Sequence, residues 1–134
     1  MGEKIMNDLF KYNVKSLLQG FIEKNDFKFL ALEELEKLGI ALKQYEYEQR
    51  GITVLFLKNK KFILEIFSDP QGGEVNCKIA KSEEATINHS SWKYFYELFP
   101  LNTIELSKIK ISQGSMEAQF AVLMQKLTET DLTS

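Results

Sequence analysis

Two consecutive runs of β-branched, aromatic and aliphatic residues constrain the fold of this chain more than any other feature. Residues 52–57 form the first run and residues 61–67 the second, and a short polar gap separates them. Asn59-Lys60 is the natural two-residue loop in this gap, because Asn tolerates a positive φ better than most residues do. The pattern therefore predicts a β-hairpin at the centre of a sheet.

A turn at Asn59-Lys60 also predicts which side chains meet across the hairpin. The expected pairs are Leu57–Phe62, Leu55–Leu64 and Thr53–Ile66 on one face, and Phe56–Ile63, Val54–Glu65 and Ile52–Phe67 on the other. Both faces are largely apolar, and strands of this kind are usually covered on both sides. The second face should thus carry an apolar strip that is either roofed by the chain itself or offered to a partner.

The segments on both sides of the hairpin alternate between apolar and polar residues. Residues 45–48 and 75–79 show this pattern, which predicts outer strands with one wet face. From about Ile40 the chain is expected to be extended as it enters the first outer strand. Residues 68–73 are turn formers and predict a loop before the second one.

The four predicted strands together form a β-meander, and apolar residues with helical spacing are found before it. Apolar residues recur at intervals of three and four over residues 5–23, which predicts an N-terminal helix that ends at Asn25-Asp26. A short helical turn is expected over residues 33–39, closed by Gly39 in the left-handed conformation.

The chain after the meander predicts an aromatic helix and one uncertain segment. Residues 92–99 should form a compact helix capped by Ser90 or Ser91 and stopped by a proline. Residues 104–111 alternate in part, which favours a fifth strand, with a short helix from Thr103 as the alternative.

A last helix and a frayed tail complete the expected fold. Ser115 should cap this helix, and residues 128–134 should fray. Residues 1–134 are thus predicted to form a single α+β domain. Its sheet should be four- or five-stranded and mainly antiparallel, with N-terminal, aromatic middle and C-terminal helices.

Composition limits the classes of function. Seventeen basic residues are interleaved with nineteen acids, and the resulting net charge of −2 argues against nucleic-acid binding. No run approaches the roughly 20 apolar residues of a membrane span, and the N-terminus lacks the apolar core of a signal peptide. We therefore expect a soluble, cytoplasmic protein that binds neither nucleic acid nor a membrane.

Residues that commonly carry metal or nucleophilic chemistry are scarce. His89 is the only histidine and Cys77 the only cysteine, which excludes a multi-histidine metal site and a normal structural zinc site. No catalytic residue, cofactor or metal site is predicted. A catalytic role for Glu65 is left open, because burial on a central strand would raise the pKa of its carboxyl unless Lys78 or another cation reached it. A structural ion pair or a partner contact is the alternative.

Abundant aromatic residues and acids without a catalytic set favour protein–protein interaction over catalysis. Tyrosines are common anchors in protein interfaces, and acids can steer a basic partner. The candidate partner-binding residues are Tyr45, Glu46, Tyr47, Glu48, Asp69, Tyr94 and Tyr96.

The layout of the first two thirds of the chain carries a family resemblance. Its segments are an amphipathic first helix ending in Glu23-Lys24-Asn25-Asp26-Phe27 and a meander that contains Phe62 to Phe67 and Gly73-Glu74-Val75. Residues 8–80 with this layout resemble small bacterial immunity proteins, which neutralise a cognate toxin. The resemblance implies an acidic surface that occludes the active site of a toxin, and it carries over no individual residue.

A second resemblance competes with the first. Acidic chains of this size with helix, sheet, helix, strand and terminal helix are also similar to type III secretion chaperones, which are homodimers that hold an unfolded effector segment. The patch or dimer seam would then be the strip Ile52, Val54, Phe56, Ile63 and Phe67. An enzyme or small-ligand carrier that uses Glu65 in a pocket is the third possibility.

Overall fold

The computed structural model describes residues 2–82, 92–111 and 115–133, in which helices flank a run of four consecutive strands. The strands are β1 (Lys28–Phe29), β2 (Thr53–Lys58), β3 (Phe62–Asp69), β4 (Glu74–Lys81) and β5 (Lys93–Tyr94). The helices are α1 (Gly2–Leu17), α2 (Gln19–Asn25), α3 (Leu32–Lys37), α4 (Ala41–Gln49), α5 (Phe95–Leu98), α6 (Thr103–Ile111) and α7 (Met116–Glu129). The strands pair antiparallel in the order β1-β2-β3-β4-β5. The predicted α+β class with a mainly antiparallel sheet is confirmed.

The hairpin between β2 and β3 has the predicted faces but not the predicted pairs. Leu57 lies opposite Leu64, and Val54 lies opposite Phe67, so the register is displaced by two residues. The cause is the side chain of Asn59, whose Oδ1 accepts hydrogen bonds from the backbone N–H groups of Lys61 and Phe62 at 2.9 and 2.8 Å. The tip of the turn is therefore Lys60-Lys61. Because side chains alternate along a strand, a shift of two leaves every residue on its predicted face.

The first face of the sheet is covered by α1, α2, α5 and α7. The hairpin contributes Leu57, Leu64 and Ile66 to this core. The helices contribute fully buried side chains that recur at helical spacing, such as Leu123 and Leu127 on α7. The predicted C-terminal helix is confirmed, and so is its cap, since the Ser115 Oγ accepts a hydrogen bond from the backbone N–H of Ala118.

The second face is covered by α3 and α4. The strip formed by Ile52, Val54, Phe56, Ile63 and Phe67 is buried against Leu35 and Ile40. The chain therefore roofs this strip itself. The exposed apolar surface that a homodimer seam or a chaperone patch would need at these residues is absent.

Residues 45–48 are helical, so the predicted outer strand is wrong. They belong to α4, which begins after Gly39 and ends before Gly51, both in the left-handed region with φ of 74° and 76°. The segment is rich in strong helix formers, and Gln44 donates a hydrogen bond to Glu48 one turn later at 3.2 Å. Four alternating residues were too few to establish a strand period.

The aromatic segment is divided between a strand and a short helix. Trp92 contacts Phe56 on the second face, with ring centroids 6.4 Å apart, whereas Phe95 is fully buried on the first. The predicted single helix over residues 92–99 is therefore wrong, because Lys93 and Tyr94 pair with β4 and their side chains alternate. The predicted Ser90 or Ser91 cap and His89 lie outside the described residues.

Residues 104–111 belong to α6, which begins at Thr103, so the alternative with a helix from Thr103 is correct and the predicted strand is wrong. Asn102 explains the helix start: its Oδ1 accepts from the N–H of Glu105, and its own N–H donates to Glu105 Oε1, both at 2.8 Å. This reciprocal pair is a capping box.

The C-terminal tail is docked at least as far as Leu132, which corrects the expectation of fraying. The backbone N–H of Leu132 donates to Asn25 Oδ1 at 2.7 Å, and its carbonyl accepts from Asn59 Nδ2 at 3.1 Å. Asn59 Nδ2 also donates to the carbonyl of Asn25 at 2.9 Å. Two buried asparagines thus join the tail, the end of α2 and the central hairpin.

Candidate functional site

The outer side of α4 carries the most exposed of the predicted partner-binding residues. Tyr45 is 59% exposed and Leu42 is 66% exposed. Glu46 and Glu48 are exposed on the same helix. Residues three and four apart on a helix are neighbours, so Leu42, Tyr45 and Glu46 form one continuous patch.

Negative charge is concentrated on the two helices that cover the second face. Residues 32–49 contain five glutamates but only two lysines, whereas the whole chain has a net charge of only −2. One of these lysines, Lys43, points inward and is paired there. Glu34 forms an ion pair with Lys28 at 2.7 Å, and this hydrogen-bonded contact lowers the pKa of its carboxyl. We call residues 32–49 the α3–α4 layer.

The inner side of the layer is fixed to the sheet by a buried carboxylate. Glu65 on β3 is 0% exposed. The Nζ of Lys43 lies 2.5 Å from its Oε1, and the hydroxyl of Tyr47 donates to its Oε2 at 3.0 Å. Both partners come from α4, so the carboxylate joins the layer to the centre of the sheet.

Burial and charge shift the pKa values of both partners. Burial lowers the pKa of the Lys43 ammonium, and the adjacent Glu65 partly offsets this effect. Burial also raises the pKa of the Tyr47 hydroxyl above its usual range, and the negative charge of Glu65 adds to the rise. Tyr47 therefore remains a neutral hydrogen-bond donor at physiological pH.

The ammonium group of Lys43 also contacts an aromatic ring. Its Nζ lies 4.0 Å from the ring centroid of Trp92, a cation–π distance. The side chain of Lys43 is only 13% exposed. Glu65, Tyr47 and Trp92 thus surround the cation, which is the arrangement that a buried charge requires.

The cation that reaches Glu65 is Lys43, and not Lys78, which the sequence analysis named as one candidate. Lys78 lies opposite Glu65 in the register of β3 and β4, but its ammonium lies over the rings of Phe67 and Tyr94. Lys43 was not predicted, since residues 40–51 were expected to be extended. A helical reading would have placed Lys43 and Tyr47 on one face, because they are four residues apart.

The remaining candidates do not join the exposed patch. Asp69 closes the β3–β4 turn, where its Oδ1 accepts from the N–H of Gly72 at 3.0 Å. Tyr94 lies on β5 with its ring beside Lys78. Tyr96 packs against Phe95 on the first face. The structure therefore brings together Tyr45, Glu46 and Glu48, while it places Tyr47 on the inner side of the same helix.

Two further features bear on chemistry. Among the described residues, no group of three or more His, Cys, Asp or Glu side chains is placed to hold a metal ion. Cys77 is fully buried on β4, and burial raises the pKa of its thiol well above the usual value. A thiol in this state is a core residue and a poor nucleophile.

Comparisons with known proteins add no relative to this description. No protein-family model, no curated protein and no solved structure matches this chain. None of the helices in the described part of the chain is both long and apolar enough to cross a membrane.

Proposed function

We propose that this chain is a protein-binding module whose α3–α4 layer contacts a basic surface on a partner protein. The observation that carries the proposal is the exposed patch of Leu42 and Tyr45 beside Glu46 and Glu48 on α4. Of the protein-binding classes, an immunity-type protein that occludes the active site of a bacterial toxin fits this patch best.

The negative charge of the α3–α4 layer supports the proposal that the partner surface is basic. The five glutamates of the layer create a negative field that attracts cationic surfaces and accelerates association. Nucleases and other toxins that act on anionic substrates have basic active sites, which an acidic layer could cover. The single cysteine suits a reducing cytoplasm, where an immunity-type protein would meet its toxin.

The attachment of α4 to the sheet supports the proposal that this helix contacts the partner directly. Its inner side is attached to the sheet through Lys43, Tyr47 and Glu65, so the exposed side chains sit on a fixed helix. A binding surface that is ordered before it meets its partner loses less conformational entropy on association. Tyr45 combines an exposed aromatic ring with a polar end, which is typical of an interface anchor.

The test is complex formation with the product of an adjacent toxin gene. We expect a stoichiometric complex, and we expect Tyr45→Ala to weaken its affinity by about tenfold to a hundredfold. Tyr12→Ala is the matched control, because Tyr12 is 68% exposed and belongs to α1 and not to the layer. Equal effects of the two variants would contradict docking through α4.

Charge reversal tests the steering part of the proposal. The double variant Glu46→Lys with Glu48→Lys should slow association by about tenfold at low salt, and the effect should shrink as salt is added. Glu23→Lys with Glu117→Lys changes the net charge equally at exposed sites on α2 and α7. If this control slows association as much, net charge and not the layer governs binding.

A further inference from the structure

We infer that the open edge of β2 forms a binding site for a small organic carboxylate, a function separate from the partner surface on α4. A cavity of about 200 Å³ lies at this edge, between α1 on one side and α3 and α4 on the other. Its volume is below the roughly 300–1,000 Å³ of pockets for drug-sized ligands, so its ligand would be fragment-sized.

The cavity exists because β1 is too short to cover β2. β1 pairs only with Leu57 and Lys58, and the N–H of Leu30 adds one bond to the carbonyl of Phe56 at 2.9 Å. The consecutive residues Val54, Leu55 and Phe56 line the cavity. Since side chains alternate along a strand, a cavity that touches all three wraps around the edge of the sheet.

The strand edge also supplies backbone hydrogen-bonding groups. The carbonyl of Phe56 points away from β3 and towards β1. Groups two residues apart on a strand point in the same direction, so the N–H and C=O of Val54 face the open edge as well. One such residue is too little for an added peptide strand but sufficient for a small polar ligand.

Two lysines give the cavity its charge preference. Lys11 and Lys15 line it from α1, one helical turn apart. Among the described residues, neither lysine forms an ion pair. The Nζ of Lys15 lies 5.2 Å from the ring centroid of Phe29, which also lines the cavity. Like charges at this spacing repel, and a carboxylate between them would relieve the repulsion.

Gln44 supplies a second polar anchor from the α4 side. Its Nε2 donates to Glu48, which fixes the orientation of the amide. Its Oε1 is buried and accepts no hydrogen bond from the described residues. A buried acceptor of this kind costs free energy unless a donor reaches it. A ligand hydroxyl would provide that donor.

Together these groups define the ligand by its chemistry. It carries a carboxylate for Lys11 and Lys15, an apolar body for the side chains of Leu35 and Phe56, and a hydroxyl for Gln44. Small hydroxyaryl carboxylates have these three parts within a fragment-sized molecule.

The experiment is a titration of the full chain with para-hydroxyphenylacetate, followed by calorimetry and by amide chemical shifts. Tyramine is the matched probe, because it has the same ring and hydroxyl with an ammonium in place of the carboxylate. We expect the carboxylate to bind with a Kd of about 0.1–1 mM and tyramine not to saturate. Equal binding of the two probes, or no saturation by the carboxylate below about 10 mM, would overturn the inference.

Variants locate the site. Lys11→Gln with Lys15→Gln should weaken binding of the carboxylate by at least about tenfold. Lys24→Gln with Lys60→Gln is the control, since it removes the same charge from exposed residues on α2 and at the hairpin tip. Gln44→Leu should weaken para-hydroxyphenylacetate but not phenylacetate, which lacks the hydroxyl. Binding that is indifferent to the Lys11 and Lys15 changes would contradict the assigned site.

Discussion

The two faces of the sheet are buried by different means. On the first face, the long helix α7 and its neighbours place apolar stripes against Leu64 and Ile66. On the second, the short helices α3 and α4 cover the strip of β2 and β3, and a buried carboxylate, Glu65, meets Lys43 and Tyr47 at their centre.

The difference teaches which substitutions each face should be sensitive to. Apolar burial has no direction, so the stability that it provides is spread over many side chains of the first face. A buried charge needs its partner at one place, and its loss is not compensated by neighbours. We therefore expect the packing of α3 and α4 on the second face to depend on a few polar residues. Four substitutions test this contrast between the faces, and they follow in order from the largest expected loss of stability to the smallest.

Removal of the cation should have the largest effect. Lys43→Met leaves the carboxylate of Glu65 buried without its charge partner, and we expect a loss of about 3–5 kcal/mol in the free energy of unfolding. Urea denaturation measures it. Lys37→Met on the exposed side of α3 is the control and should change stability by less than about 0.5 kcal/mol. Comparable losses for the two variants would show that the ion pair is unimportant.

A cavity in the core of the first face should reduce the free energy of unfolding somewhat less than Lys43→Met does. Leu127→Ala removes a fully buried side chain of α7, and we expect a loss of about 3 kcal/mol. Leu98→Ala, at a largely exposed position of α5, should have a much smaller effect. The same denaturation assay applies. A loss for Leu127→Ala well above that for Lys43→Met would reverse the contrast between the faces.

The hydroxyl of Tyr47 separates hydrogen bonding from packing on the second face. Tyr47→Phe keeps the ring but removes the bond to the Glu65 carboxylate, so we expect a loss of about 2 kcal/mol. Tyr45→Phe removes an exposed hydroxyl from the same helix and should be neutral. A neutral Tyr47→Phe would mean that Lys43 alone satisfies the carboxylate.

Backbone conformation at the end of α4 should have the smallest effect. Gly51 has a φ of 76°, so Gly51→Ala should cost about 1 kcal/mol. Gly20→Ala is the opposite control, since Gly20 is helical in α2 and an added Cβ would meet nothing within 4 Å apart from its chain neighbours and the backbone of its own helix. It should raise stability by about 0.5–1 kcal/mol. Thermal denaturation resolves effects of this size. A loss of stability in both variants would argue that the left-handed conformation of Gly51 is not the cause.

The first face could be predicted from the sequence because its pattern is local. Apolar residues at helical spacing identify α7, and two apolar runs identify β2 and β3 with their faces. The turn was harder, because Asn59 acts through its side chain, which bonds to Lys61, Phe62 and the distant Leu132. That tertiary contact has no signature in the hairpin itself.

The second face was harder to predict because α4 is short and its inward residues are polar. The alternation in residues 45–48 fits a strand as well as a helix, and only packing against Glu65 decides between them. The start of α6 was readable: Asn102 and Glu105 have the spacing of a capping box. Of the partner candidates, Tyr45, Glu46 and Glu48 are exposed on α4, but their partner stays a prediction.

The most direct test of the central claim is a double-mutant cycle between Lys43 and Glu65. The free energies of unfolding of Lys43→Met, Glu65→Met and the double variant are compared with that of the original chain. If the pair fixes α4 to the sheet, the double variant should be more stable than the sum of the single losses predicts, by at least about 2 kcal/mol. Additive losses, with a coupling below about 0.5 kcal/mol, would contradict the claim.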